Sequence, residues 1–87
     1  MIVLEYPVFI DMPCVVALPL KYKILSVNVV SNTPIINVLD TEETIETQNH
    51  TFYCFTQNQV MPPDGMFQYI GSCVIFNKQY HIFERIS

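Results

Sequence analysis

Between Ile24 and Leu39 the chain carries the pattern that most restricts its folding. From Leu25 to Val29 the apolar residues Leu25, Val27 and Val29 fall on one face of an extended chain, and Ser26 and Asn28 on the other. A helix would bring together residues three and four apart, so this period of two specifies a half-buried strand. The run breaks at Ser31-Asn32-Thr33-Pro34, a cluster of turn formers, and resumes from Ile35 to Leu39. The two segments are therefore expected to pair as an antiparallel hairpin.

The same reading extends along the chain. Ile2 to Ile10 reads as a first strand in which Pro7 marks a sheet edge or bulge, and Cys14 to Leu18 as a second extended piece closed by Pro19. An acidic loop from Asp40 to Asn49 follows, then a strand from His50 to Thr56 rich in aromatic residues. Gln57 to Gly65 is a polar loop stiffened by Pro62 and Pro63. The last unit is a hairpin of Met66 to Phe76 and Gln79 to Ile86, turning at Asn77-Lys78. In its first strand Ile70, Ser72, Val74 and Phe76 share one face, and Tyr69, Gly71, Cys73 and Ile75 the other. Both faces are apolar enough that this hairpin is expected at the centre of its sheet or against another subunit. No amphipathic helix of three turns, internal repeat or low-complexity segment interrupts the series. The expected fold is all-β, a small antiparallel sandwich or partly open barrel of five to seven short strands, in one domain spanning 1–87.

Composition bears on partners. A chain of 87 residues buries only about 60 to 65% of its unfolded surface. With 51% hydrophobic and 14% charged residues, it holds more apolar surface than a core that small readily hides. A homo-oligomer, a dimer or higher, is expected; the alternative is a compact monomer with scattered exposed aliphatic residues. The net charge of −4 leaves only Lys21, Lys23, Lys78 and Arg85 as cations, which argues against direct nucleic-acid binding through phosphates. Asp40, Glu42, Glu43 and Glu46 crowd one stretch, either a solvated loop or an attractor of a basic partner.

Cys14, Cys54 and Cys73 are odd in number and too widely spaced for a zinc ribbon or a redox pair, so they read as buried thiols in a reducing compartment. Glu5, Pro7, Asp11 and Pro13 interrupt the apolar N-terminal stretch, and no basic residue precedes it, so no signal peptide is expected. No run reaches the ~18 to 20 apolar residues of a membrane span. Asn49-His50-Thr51 matches a glycosylation sequon, which has no use without secretion.

Five ordered blocks carry a resemblance. Glu5-Tyr6-Pro7-Val8, Ile24-Leu25-Ser26-Val27 followed by Asn32-Thr33-Pro34, Val38-Leu39-Asp40, Tyr69-Ile70-Gly71-Ser72 and His81-Ile82-Phe83-Glu84 resemble, in order and spacing, a family of small phage and prophage proteins that carry a domain of unknown function. The resemblance covers nearly the whole chain. It implies an origin and size class, with the cytoplasm of a bacterial host as the location, and it assigns no chemistry. Where members of that family tend to carry a loop of glycine, threonine, glycine, histidine and proline, this chain has Thr56-Gln57-Asn58-Gln59.

Catalytic and metal motifs are sparse. His50 and His81 are the only histidines, both in strand patterns, and His81 reads as structural, with a pairing to Cys54 left open. Outside the acidic loop no two candidate ligands have metal-binding spacing, and with only Gly65 and Gly71 there is no phosphate-cradling loop. No enzyme activity and no cofactor are expected. The candidate ligand-binding set is Tyr53, Thr56, Gln57, Asn58, Gln59 and Asp64, which offers a stacking ring and neutral hydrogen-bonding groups suited to a base or sugar edge. The plainer reading is a surface loop whose amides satisfy its own backbone. The expected function is a non-enzymatic phage accessory protein that sequesters a nucleotide-like immune signalling molecule. The alternative is a protein-interaction module, virion-associated or inhibiting a host protein through the acidic loop.

Overall fold

The computed structural model describes residues 1–43 and 45–86, and these form an all-β sandwich without helices. Its seven strands are β1 (Ile2–Pro7), β2 (Cys14–Pro19), β3 (Tyr22–Val30), β4 (Thr33–Asp40), β5 (Thr47–Thr56), β6 (Phe67–Ile75) and β7 (Lys78–Arg85). One antiparallel sheet has the order β1-β4-β3 and the other β2-β5-β7-β6, and the two do not close into a barrel. The molecule is flat, 38 × 31 × 16 Å, with a radius of gyration of 13.0 Å. A sphere-like chain of this length would have about 12 Å.

Alternation places the core. Ile36 and Val38 from β4, Val16 and Leu18 from β2, Phe52 from β5 and Ile82 from β7 meet between the sheets, and Phe52, Ile36, Val38, Leu18 and Ile82 are fully buried. Cys14 anchors the β1 side, its thiol donating to the Pro7 carbonyl at 3.6 Å. Polar groups fill the outer face of the three-stranded sheet, where the Asn37 amide donates to Ser26 Oγ and Asn28 Oδ1.

Both hairpins turn on two residues with positive φ, Ser31-Asn32 (50°, 62°) and Phe76-Asn77 (50°, 63°). That geometry matches the right-handed twist of the flanking strands. The second turn therefore lies one residue earlier than the Asn77-Lys78 expected from sequence. An isolated Asn77 suggested the turn, but the favoured two-residue loop needs its predecessor as well. β7 is central in its sheet, while β6, its hairpin partner, forms the edge.

Two β-bulges alter the expected faces. In β3, Ile24 opposes Val38 and Ser26 opposes Asn37, so Leu25 is the extra residue and is 47% exposed rather than in the core. Val27 and Val29 do pack against the core. In β6 the register slips between Tyr69 and Gly71, which turns Ile70 toward the core and leaves Val74 and Phe76 on the outer face. Gly71 sits where β6 crosses β3; a Cβ there would lie 2.8 Å from Val27 Cγ2.

Candidate functional site

The inner face of β7 carries Tyr80, Ile82 and Glu84, so the period that buries two large side chains also buries a carboxylate. Glu84 is only 7% exposed. A buried carboxylate is costly unless its oxygens are hydrogen-bonded, and here both oxygens have a partner. β5 supplies His50, two residues from Phe52, the register partner of Glu84. β3 supplies Tyr22 from the opposite sheet. His50 Nδ1 lies 2.7 Å from Glu84 Oε2, and the Tyr22 hydroxyl donates to Glu84 Oε1 at 3.4 Å. An ionised carboxylate only accepts, so Nδ1 carries the proton in this contact. The Tyr22 and His50 rings meet edge to face, 5.1 Å between centroids. Burial, followed by the Glu84 charge, pushes the Tyr22 hydroxyl above its ordinary pKa of 10.0, which keeps it a donor.

A cavity of about 280 Å³ opens beside this trio between the edges of β3 and β6, lined by Tyr22, Ile24, Gln68, Tyr69, Ile70 and Glu84. Ile24 and Ile70 belong to the two bulged segments, and a bulge bends its strand. The two strands are thus irregular where the cavity forms. Glu84 Oε2 is engaged by His50, whereas Oε1 accepts the long Tyr22 contact and retains accepting capacity. Gln68 adds an amide that both donates and accepts, and the Tyr69 ring is half exposed at the mouth. This arrangement suits a small neutral or cationic molecule with N–H donors. It opposes a phosphate inside the cavity, which would face a carboxylate.

The six residues expected from sequence to form one site are divided. Thr56 and Gln57 line a depression of about 360 Å³ with Asn77, Lys78 and Gln79. Tyr53 and Gln59 line a smaller one of about 140 Å³ with Asp11, Met12 and Phe55. Asn58 occupies a turn with φ 67°. The Gln59 side-chain oxygen accepts from the Thr56 N–H at 3.0 Å and the Thr56 hydroxyl at 3.3 Å, so it serves the loop's own backbone. Asp64 lies 3.9 Å from Arg85 Nη2, and that guanidinium sits 5.9 Å above the Phe67 ring. Tyr53 does have stacking partners: it is parallel to Phe55 at 5.6 Å and edge-on to Phe67 at 5.3 Å. With Phe83 and Tyr69 it forms a row in register across the outer face of the four-stranded sheet.

Other sequence candidates separate in space. Cys54 faces the core from β5, whereas His81 is on the outer face of β7 opposite Phe55, so the two do not pair. Burial pushes the Cys54 thiol up to about 12, with the neighbouring Cys73 contributing, and a protonated thiol is a poor nucleophile. In the acidic stretch, Asp40 is buried and its carboxylate accepts the Glu43 N–H at 2.8 Å. Glu42 lies 4.0 Å from Lys21 Nζ, and Glu43 lies 3.2 Å from the Met1 ammonium. Among the described residues no group of three or more His, Cys, Asp or Glu side chains could hold a metal ion.

Tyr22, His50 and Glu84 were not grouped by sequence reasoning because they stand 28 and 34 residues apart. One signal existed: Glu84 is in phase with Tyr80 and Ile82, an acid on an inward stripe.

Over residues 1–87 the sequence matches the family described as Domain of unknown function (DUF7352). The chain belongs to this family. No curated protein and no solved structure matches it. For this DUF7352 chain, the chemistry of the Glu84 cavity is therefore the ground for a functional reading.

Proposed function

We propose that this protein is a non-enzymatic capture protein that holds a small nucleobase-like molecule by its N–H edge in the cavity at Glu84. The observation that carries the reading is a buried carboxylate, held by His50 at one oxygen and by Tyr22 at the other, in the lining of a cavity that also holds an amide and an aromatic ring. At about 280 Å³ the cavity is slightly smaller than the usual ligand site, roughly 300 to 1,000 Å³. It suits a base or nucleoside, with any phosphate left in solvent. Capture needs only affinity and stoichiometry, and a rigid sheet supplies the preorganisation.

The setting we propose is counter-defence in the cytoplasm of a bacterial host, where a phage protein removes an immune signalling molecule by binding it. What motivates that setting is the resemblance of five sequence blocks to small phage and prophage proteins. Recognition of a basic protein through the acidic loop has less support, since Glu42 and Glu43 already lie near cations of the same chain. Calorimetric titration with a panel of nucleosides tests the capture reading. Binding should be weakened about ten- to a hundredfold by Glu84→Gln, the range expected for a hydrogen bond to a charged group. It should be unchanged by Gln57→Ala. Affinity indifferent to Glu84→Gln would reject the site.

A further inference from the structure

The lining of the Glu84 cavity is rich in acceptors and poor in donors. It holds no Lys, Arg or His, and Ile24 and Ile70 offer only apolar surface. An ionised carboxylate accepts and cannot donate, so Glu84 supplies acceptors alone. Tyr22 is drawn into the same role. A phenol has one proton to give, and the Tyr22 hydroxyl gives it to Glu84 Oε1 at 3.4 Å, which leaves the Tyr22 oxygen to accept. His50 Nδ1 also lies 3.4 Å from this oxygen, but its proton is held by Glu84 Oε2 at 2.7 Å. Two acceptors therefore stand side by side in the lining, Glu84 Oε1 and the Tyr22 oxygen. Gln68 and Tyr69, both exposed, are the lining groups left free to donate.

Bases meet such a pair of acceptors differently. Guanine presents two neighbouring donors, N1–H and the N2 amino group, with the O6 acceptor beside them. Adenine and cytosine set their amino group next to a ring nitrogen that accepts, and uracil has one N–H between two carbonyls. Each of those three would turn a lone pair toward an acceptor, losing a hydrogen bond and adding a repulsion.

We infer that the base held in this cavity is guanine, with N1–H on Glu84 Oε1, the N2 amino group on the Tyr22 oxygen and O6 on the Gln68 amide. The inference rests on the capture reading above and narrows it to one base. A guanidinium group shares the donor pair, but it brings less ring surface to Ile24 and Ile70 and has no acceptor for the Gln68 N–H. The net charge of −4 opposes a phosphate chain, so the source is a free guanine nucleoside rather than guanine within a nucleic-acid strand.

Calorimetric titration of the full chain with chosen ligands tests it before any variant is made. Guanosine should bind at least about tenfold more tightly than inosine, which lacks only the N2 amino group, and than adenosine, cytidine or uridine. 1-Methylguanosine, whose N1 donor is blocked, should lose a similar factor. Methylguanidine and a single-stranded oligonucleotide containing guanine should each bind more weakly than guanosine. Tyr22→Phe should bring the guanosine-to-inosine ratio close to one, whereas a merely structural role for Tyr22 would weaken both ligands alike. A ratio unaffected by Tyr22→Phe, or any of the other ligands matching guanosine, would overturn the guanine assignment. If another nucleoside binds best and is lost with Glu84→Gln, the assignment falls and the capture reading stands. Absence of binding by every nucleoside would overturn both.

Discussion

His50 and Glu84, 34 residues apart in sequence, meet at 2.7 Å on the inner face of the four-stranded sheet, each nearly closed off from solvent. Such a pair contributes little net stability against an apolar replacement, yet removing one member leaves an uncompensated charge. His50→Ala should therefore destabilise the fold by about 3 kcal/mol, and His50→Ala/Glu84→Leu should recover much of the loss. Urea denaturation of the two variants checks both statements.

Gly71 reports how closely the sheets approach beside the cavity. A Cβ at this position would come within 2.8 Å of Val27 Cγ2. Gly71→Ala should cost about 1 to 3 kcal/mol through overpacking, and Val27→Ala in the same chain should relieve part of that cost. A double-mutant cycle by thermal melting should give a coupling of opposite sign to the single losses.

Phe76 adopts φ 50° at the tip of the last hairpin and is 77% exposed, so its ring recovers little burial for an unfavourable backbone. Asn tolerates this region better. Phe76→Asn should stabilise the protein by about 0.5 to 1 kcal/mol, measured as a higher Tm.

Alkaline pH should weaken the fold. The buried Cys54 thiol has a pKa of about 12 against 9.0 ordinarily, and Tyr22 is also raised above its ordinary 10.0. A raised acid binds its proton more tightly folded than unfolded, so its contribution is complete below pH 9 and declines as pH rises toward 12. The urea midpoint should fall across that interval, and Cys54→Ala should flatten the decline.

Much of the architecture follows from period-two alternation, which marks the strands around Val27, Ile36, Phe52 and Ile82. The departures have local causes. Leu25 and Ile70 are displaced by bulges, and a bulge inserts one residue without any composition signal of its own. Pro34 suggested a turn but lies buried inside β4, beyond the part of that strand that pairs with β1. The Glu84 cavity needed three strands from two sheets, and no spacing along the chain encodes which strands become neighbours. The polar loop was visible as composition, but whether its groups converge depends on how Gln59 folds back on Thr56.

Native mass spectrometry of protein purified from phage-infected cells tests the capture reading most directly. The account predicts a small adduct of nucleoside or nucleotide mass on the wild type, released by denaturation and absent from Glu84→Gln. A wild-type chain without an adduct, or one kept equally by Glu84→Gln, would contradict it.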